Sequence, residues 1–192
     1  MPEQNQPVLD FLLSRRSRPA KTLKGPVPDR SELMTILTAA ARTPDHGKLE
    51  PWRFIVLEKA ALTRLADMIP PLGETLGVEP EKIEKQRRQY ADADLAVAVV
   101  FSPKESPKVP HIEQVYSAGA VCLATLNAAL ASGWGANWLS GWASHNPSFC
   151  EEGLGLEPHE SIAGLIHIGT ETSAPPERPR PDLDVIVSWV SE

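Results

Sequence analysis

The spacing of apolar residues along the chain predicts several amphipathic helices. Apolar positions recur at helical intervals in "VLDFLLSRRS", "DRSELMTILTAAART", "KAALTRLADMI", the charged "EPEKIEKQRRQYA" and, as the longest, "PHIEQVYSAGAVCLATLNAALASG". The second of these segments begins with Asp29 and has Glu32 three residues later, which is typical of a capping box. In the longest segment, Pro110 suits the first turn of a helix and Gly133 suits its end.

Shorter runs of β-branched and aromatic residues predict strands. "WRFIVLE" and the more apolar "DLAVAVVF" are the clearest, "WGANWLSGW" and "SIAGLIHIG" follow, and "DVIVSWV" is predicted as a last short strand after the proline-rich "SAPPERPRP". A strand at the end of an extended arm has to pair with a sheet edge, and a partner subunit is a natural place for it. These patterns alone predict a mixed α/β or α+β domain.

Composition and charge exclude some classes of protein. The chain has 192 residues, of which 42% are hydrophobic and 23% charged. These are ordinary values for a globular protein, so we expect residues 1–192 to form a single domain. The net charge of -6 argues against nucleic-acid binding as the function of the whole protein, although a local anion site remains open.

The cysteines and histidines do not indicate a metal site. Cys122 and Cys150 sit in no metal-type spacing, and neither do His145, His159 and His167. Cys122 and His167 are predicted as core residues, the histidine with its hydrogen bonds satisfied. The N-terminus has no signal-peptide pattern, and the apolar run at 95–101 is far shorter than the ~18 residues that cross a bilayer. We therefore expect a cytoplasmic protein that binds no metal and does not enter a membrane.

A basic island near the N-terminus stands out in this acidic chain. It contains Arg15, Arg16, Arg18, Lys21 and Lys24. Arg15, Arg16 and Ser17 follow a predicted helical turn, where guanidinium groups and a hydroxyl can bind a phosphate. The alternative is a solvated basic helix end, which the helix dipole stabilises by about 0.3–1 kcal/mol.

The loop at 42–51, "RTPDHGKLEP", has more charged and polar side chains than a connection before a strand requires. Arg42, Asp45, His46 and Lys48 all lie in this one short segment. The alternatives to a functional role are a surface histidine and an exposed ion pair between Lys48 and Glu50, worth at most about 1 kcal/mol. The small residues at 117–120 of the longest helix would let another helix or a flat ligand come close.

Four segments, in the right order and distributed over nearly the whole chain, carry a resemblance: "SRRSRPAK", "ARTPDHGKLEPWRFIVLE", "KVPHIEQVYSAGAVCLATLNAALASGWGANWLSG" and "IGT" followed by "RPRPDLDVIV". The chain resembles the FMN-dependent nitroreductase family, and most of all its short NAD(P)H nitroreductase branch. The resemblance implies a homodimeric α+β fold with a mixed, mainly antiparallel sheet wrapped by helices. It also implies two FMN molecules at the subunit interface and a C-terminal strand exchanged between subunits.

The resemblance also assigns residues to the FMN site. In this sequence they are Arg15, Arg16, Ser17, Arg42, His46, Lys48, Trp138, Leu139, Ser140 and Arg180. The arginine pair and the serine would bind the phosphate and the ribityl chain, and Lys48 would stabilise the anionic reduced ring.

Some assignments of the resemblance compete with other readings. A region that binds the nicotinamide nucleotide in relatives matches Ala128, Ala129, Leu130, Ala131, Ser132 and Gly133, for which helix packing is the alternative. Glu50 stands where the family has a glutamine, and Arg178 competes with Arg180 for the phosphate.

The function that the resemblance implies is an FMN-dependent NAD(P)H oxidoreductase. Hydride would pass from NAD(P)H through FMN to a nitroaromatic, a quinone or a similar acceptor, and the flavin rather than an amino-acid nucleophile would carry the chemistry. The sequence accordingly has no G-x-S-x-G motif and no pair of catalytic carboxylates. The alternatives are a flavin-binding dimer that senses or stores the cofactor without nicotinamide turnover, or a relative that acts on the flavin or on a halogenated substrate.

Overall fold

The computed structural model describes residues 3–192, which contain seven helices and five strands. The helices are α1 (Gln6–Ser14), α2 (Arg30–Ala40), α3 (Lys59–Thr75), α4 (Pro80–Ala91), α5 (His111–Ala131), α6 (Pro147–Leu154) and α7 (Leu183–Ile186). The strands are β1 (Leu23–Lys24), β2 (Trp52–Glu58), β3 (Leu95–Phe101), β4 (Gly135–Leu139) and β5 (Ser161–Glu171). The α+β prediction is therefore confirmed.

One five-stranded sheet organises the chain, and all of its described pairings are antiparallel. Strand β5 is its centre, because it pairs with β3 and β1 along one side and with β4 along the other. Strand β2 pairs with β3 and forms one edge, and β4 forms the other. The parallel component that a mixed sheet would have is absent from the described pairings.

Helices cover both faces of the sheet. Ala96, Ala98 and Val100 of β3 belong to a core that includes residues of α3 and α6, whereas Val97 and Val99 pack with residues of α2 and α5. Because β3 is buried on both faces, its sequence is a continuous apolar run instead of an alternating one. The sheet thus lies between two helical layers, as the resemblance implied.

The predicted helix ends are also confirmed. The Asp29 carboxylate accepts a hydrogen bond from the backbone N–H of Glu32, whose side chain accepts one from the backbone N–H of Asp29. Gly133, just after α5, has a φ of 87°, a left-handed conformation that glycine adopts without a steric penalty.

The C-terminal tail differs from the sequence prediction. In this chain "DVIVSWV" is not a strand: α7 ends at Ile186, and the residues after it have no regular structure. Their side chains are exposed, with Trp189 at 92% and Val190 at 87%. A strand requires a sheet edge for its backbone hydrogen bonds, and this tail pairs with neither edge of its own sheet.

Helix α5 is more apolar than the sequence analysis recognised. By length and composition, it is the one helix among residues 3–192 that has an 18-residue stretch apolar enough to cross a membrane. The apolar character of this helix is difficult to recognise in the sequence, because polar residues such as Gln114 and Thr125 interrupt every continuous apolar run. In the fold, 44% of the stretch is buried, and the core helix of a soluble protein meets the same criterion.

Both cysteines lie in the core. Cys122 packs between α5 and the sheet, and Cys150 of α6 packs on the opposite face. Burial raises the pKa of both thiols, that of Cys122 to about 12. The prediction of Cys122 as a core residue is confirmed.

A buried carboxylate joins strand β2 to the turn before β5. The Glu160 side chain, 4% exposed, accepts hydrogen bonds from Nε and Nη2 of Arg53 at 2.8 and 2.6 Å. These hydrogen bonds lower the pKa of Glu160 from 4.5 to about 2, although burial acts in the opposite direction.

Replacing Glu160 by glutamine should destabilise the protein by about 1–2 kcal/mol near neutral pH, because the charge-assisted contact with Arg53 is lost. A lowered carboxyl pKa contributes stability above the unfolded value of 4.5 and loses that contribution as the pH falls through about 2. The difference in unfolding free energy between wild type and Glu160→Gln, measured in urea, should therefore shrink below about pH 4.5. Glu84→Gln, which removes an exposed pair with Arg87, is the control and should have no measurable effect.

Candidate functional site

A large cavity lies between α4 and the end of β4. Its volume is about 940 Å³, within the range of small-molecule binding pockets. The residues that line it are Ala20, Lys21, Pro80, Glu81, Glu84, Lys85, Arg88, Gln89, Asp92, Ala93, Leu139, Ser140 and His167. The cavity is thus built from four separate parts of the sequence.

The chain after β4 lies directly against α4. A Cβ atom on Gly141 would be 1.8 Å from Oε1 of Gln86, so a larger residue there would push the Gln86 side chain away. This close approach brings Leu139 and Ser140 to the same cavity as Lys85 and the α4 residues around it.

A cluster of arginines forms next to this cavity. It consists of Arg15, Arg16, Arg18 and Arg180, and we call it the arginine cluster. Burial, together with the charges of Arg180, Arg16 and Arg18, lowers the pKa of Arg15. Arg16 also reaches the carbonyl of Pro176, and Glu177 beside it pairs with Arg180, so the two arginine segments lie together although they are far apart in the sequence.

Hydrogen bonds hold the arginine cluster in place but do not use all of its N–H donors. Nη2 of Arg15 donates to Oγ of Ser17 at 3.0 Å, and Nη2 of Arg16 donates to the carbonyl of Pro176 at 2.9 Å. The Nε atoms of both arginines are buried and have no hydrogen-bond partner among the residues that the structure describes. Unpaired buried donors of this type suit an anion such as a phosphate.

Acidic residues neutralise only part of this charge. Arg18 pairs with Glu171 at 3.1 Å, and Arg180 pairs with Glu177 at 3.0 Å. Arg15 and Arg16 have no ion-pair partner within the described part of the chain. The cluster therefore keeps an excess of positive charge.

Strand β4 connects the arginine cluster to the cavity. The backbone N–H of Arg18 donates to the carbonyl of Ala136 at 2.8 Å, and Nδ2 of Asn137 donates to the carbonyl of Arg18 at 2.6 Å. The arginine segment thus lies along the outer edge of β4, whose last residue, Leu139, lines the cavity.

The loop at 42–50 lies elsewhere, against the first half of α5. Oγ of Ser117 donates to the carbonyl of Pro44 at 2.9 Å and accepts from Nε1 of Trp52 at 3.1 Å, and His46 pairs with Glu113. One of the small residues of α5 therefore holds the loop in place.

The backbone of this loop is strained. Gly47, Lys48 and Glu50 have φ values of 76°, 55° and 50°, and the last two are not glycines. The Asp45 carboxylate accepts a hydrogen bond from the backbone N–H of Glu50 at 2.6 Å, which helps to keep this conformation. Lys48 and Glu50 do not form the ion pair that was one sequence-based alternative. Strained loops of this kind are frequent at functional sites.

The structure brings together only part of the residues predicted for the FMN site. Arg15, Arg16, Ser17 and Arg180 are in or beside the arginine cluster, and Leu139 and Ser140 line the cavity. Within residues 3–192, no hydrogen bond or ion pair links Arg42, His46 or Lys48 to either of them.

Two other predicted segments do not line the cavity. The ring of Trp138 lies over Gly164, where a Cβ atom would be 2.1 Å from Nε1 of the indole. Ala128, Ala129, Leu130 and Ala131 form the last turn of α5, in which Ala129 is fully buried, and Ser132 and Gly133 follow the helix. The roles proposed for these residues in FMN and nicotinamide binding stay predictions.

The sequence and the fold of this chain are similar to those of known proteins. Residues 12–170 match the model of the family described as "Nitroreductase family". The chain belongs to the nitroreductase family.

Relatives of this nitroreductase-family protein have similar lengths. "Putative NAD(P)H nitroreductase YdjA" of Escherichia coli strain K12 is 35% identical over 162 residues, which are 84% of this chain and 87% of that protein. A "Putative NAD(P)H nitroreductase" of Haemophilus influenzae is 34% identical over 164 residues, again 84% of this chain and 87% of that protein.

Solved structures have the same fold. A nitroreductase-like family protein from Bacillus cereus has a TM-score of 0.78 at 20% identity and covers 99% of this chain and 98% of its own. A "putative nitroreductase in complex with fmn" from Desulfovibrio desulfuricans has a TM-score of 0.74 at 20% identity, with 99% and 100% covered. The fold of this nitroreductase-family protein is therefore nitroreductase-like.

Sequence reasoning missed two contributors to the cavity. Helix α4 was predicted only as a charged helix, yet it supplies much of the cavity wall. His167 was predicted as a core histidine with satisfied hydrogen bonds. It is buried, at 2% exposure, but neither ring nitrogen has a hydrogen-bond partner within residues 3–192. The signal in the sequence was a single polar residue in the apolar strand "LIHIG".

Proposed function

We propose that this protein is a cytoplasmic, homodimeric FMN-dependent NAD(P)H oxidoreductase, with residues 1–192 forming one flavin-binding domain. It would pass hydride from NAD(P)H through FMN to a nitroaromatic, a quinone or a similar acceptor. The observation that carries this proposal is the arginine cluster, with its unpaired buried donors, at one end of β4 and the large cavity at the other.

The residues present fit the two ends of FMN. Arg15, Arg16, Ser17 and Arg180 would hold the phosphate, and Leu139 and Ser140 would border the ring. From the contact at Ala136 to Ser140 the chain spans about 13 Å, at about 3.3 Å per residue, which leaves room for a ribityl chain. When bound, the flavin would supply hydride acceptance and donation, and the protein would supply orientation and charge.

A homodimer would complete this site. The 42–48 loop lies away from the cavity of its own chain, so the loop of a second copy would have to supply Arg42, His46 and Lys48. Large apolar side chains of α1, α5 and the tail are exposed, among them Leu12, Leu13, Tyr116, Trp189 and Val190. Such surfaces are typical of subunit interfaces.

The nicotinamide nucleotide would bind at a segment separate from the arginine cluster. Ala128–Gly133 remain its proposed segment, and Trp138 remains a proposed neighbour of the flavin. Of these residues, Ser132 and Gly133 follow α5 and are exposed, so they are accessible to a ligand.

The purified protein tests the proposal directly. We expect a yellow protein with an oxidised-flavin spectrum that releases FMN on denaturation and oxidises NADH or NADPH in the presence of an electron acceptor. Turnover with the acceptor separates an oxidoreductase from a dimer that only stores flavin. A colourless protein that does not bind added FMN would contradict the proposal.

Lys48 provides a finer test of the flavin site. If a second copy brings its ammonium group to the pyrimidine edge of the ring, Lys48→Met should lower the two-electron midpoint potential by about 30 mV, or about 1.4 kcal/mol, because the anionic reduced flavin loses a compensating charge. Redox titration against a reference dye measures this. Lys82→Met, which removes a lysine paired with Glu79 on α4, is the control. A shift below about 10 mV, a few tenths of a kcal/mol by the same conversion, would rule out the contact.

A further inference from the structure

His167 lies at an unusual place in the fold, between two cavities. It belongs to β5, where it pairs with Ala96 of β3 and Asn137 of β4. It lines the large cavity together with Leu139 and Ser140. It also lines a second cavity of about 10 Å³, on the side of Leu23 and Asp94.

The hydrogen-bonding capacity of His167 is unused within the protein. Both ring nitrogens are buried and have no partner among residues 3–192. Burial also lowers the pKa of His167 to about 4, so the imidazole is neutral at physiological pH and has one donor and one acceptor. A buried polar group without partners is destabilising, and a native protein rarely retains one unless a water or a ligand pairs with it.

The two cavities differ in what they can hold. About 10 Å³ is close to the minimum for a single water molecule, which can account for one ring nitrogen. The large cavity can hold a whole heterocycle. Its lining contains a second unsatisfied polar group, because Nε2 of Gln89 is buried and has no acceptor in the described part of the chain. Two unsatisfied polar groups that line one cavity, from α4 and β5, indicate that the occupant presents polar edge atoms to them.

We propose that His167 is a ligand-binding residue of the large cavity, where its imidazole hydrogen-bonds a polar edge atom of a planar heterocycle. On the proposed function, on which this assignment rests, the heterocycle is the flavin ring. His167 would then recognise the ring, whereas the arginine cluster recognises the phosphate. The two contacts are separable because riboflavin has the same ring and no phosphate.

Binding of FMN and of riboflavin to the apo-protein tests the assignment, with flavin fluorescence as the readout. His167→Leu removes both polar ring atoms and keeps an apolar side chain. We expect it to raise the dissociation constants of FMN and of riboflavin by a similar factor of about ten, the effect of one hydrogen bond. His167→Gln, which retains a donor and an acceptor, should lose less. Ile166→Val, on the same strand but facing α5, is the control and should bind both flavins as the wild type does.

The thermal stability of the apo-proteins distinguishes a ligand contact from core packing. We expect apo His167→Leu to melt at a higher temperature than the apo wild type, because it no longer buries unpaired nitrogens. Unchanged flavin affinity in this variant would overturn the assignment and make His167 a core residue only. A wild type that binds neither FMN nor riboflavin would instead refute the proposed function itself.

A measurement on the wild type keeps the assignment testable if the variants do not fold. In protein labelled with ¹⁵N-histidine, the ring nitrogen signals of one buried histidine should shift when FMN is added, and also when riboflavin is added. Signals of the exposed His145 and His159 should not change. Buried histidine signals that stay constant on saturation with FMN would overturn the assignment.

Discussion

Replacing Arg15 and Arg16 together by alanine is expected to weaken FMN binding by about 10²–10⁴-fold and to leave the fold intact. Two charge-assisted contacts with a phosphate contribute about 1.5–3 kcal/mol each, and their loss converts to this range of dissociation constants. Both side chains have buried Nε atoms that find no partner from residue 3 to residue 192, so these atoms make no hydrogen bond that stabilises the core. Fluorescence titration of the apo-protein with FMN measures the effect.

Two controls make the arginine experiment specific. Arg87→Ala removes an exposed arginine paired with Glu84 and should bind FMN like the wild type. Riboflavin should bind the double variant almost as well as it binds the wild type, since it lacks the phosphate. Arg16 also donates to the carbonyl of Pro176, so circular dichroism and a melting curve should accompany the titration. An unchanged dissociation constant for FMN would mean that the arginine cluster is only a basic surface.

Truncation after Thr172 is expected to abolish both the dimer and the activity. The removed residues include an apolar tail in which Leu183, Val185 and Trp189 are largely exposed in this chain. Strand β2 leaves one edge of the sheet without a partner, and an exposed edge of this kind is normally paired or covered. A second copy of the tail would cover it. Sedimentation of the truncated and full-length proteins compares their subunit numbers.

The truncation also removes Arg180, so a second pair of variants is needed. Arg180→Ala should remain a dimer and bind FMN more weakly, since it loses only a charge near the phosphate. Truncation after Pro181 keeps Arg180 and removes α7 with the residues beyond it, so it should lose the dimer as the longer truncation does. A stable, flavin-loaded dimer of the chain ending at Thr172 would contradict the exchange of the tail.

The elements of the core could be predicted because burial restricts which residues their sequences contain. Strand β3 is buried on both faces and is apolar at every position from Leu95 to Phe101. Helix α2 carries its N-terminal signal within four residues, at Asp29 and Glu32. Local patterns of this kind are readable from one sequence because the interactions that they report are local.

The site was only partly predictable because its parts are distant in sequence. Gln86 and Gly141 are in close contact across 55 positions, and nothing in the sequence near either residue indicates the other. The pairing of His46 with Glu113 is similarly non-local. The tail was predicted as a strand from its β-branched residues. Such residues indicate only that a segment can pair with a sheet edge. They do not indicate which edge, and in the proposed dimer that edge would belong to the second copy.

The burial of both cysteines has a practical consequence for experiments on the proposed homodimer. Maleimides and disulfide reagents attack the thiolate, and burial with a raised pKa makes Cys122 and Cys150 poor targets. A cysteine introduced in the exposed tail, as in Ser191→Cys, would therefore take up a fluorescent dye almost without background. Two populations labelled with a donor and an acceptor dye would report by energy transfer, in real time, how fast their subunits mix.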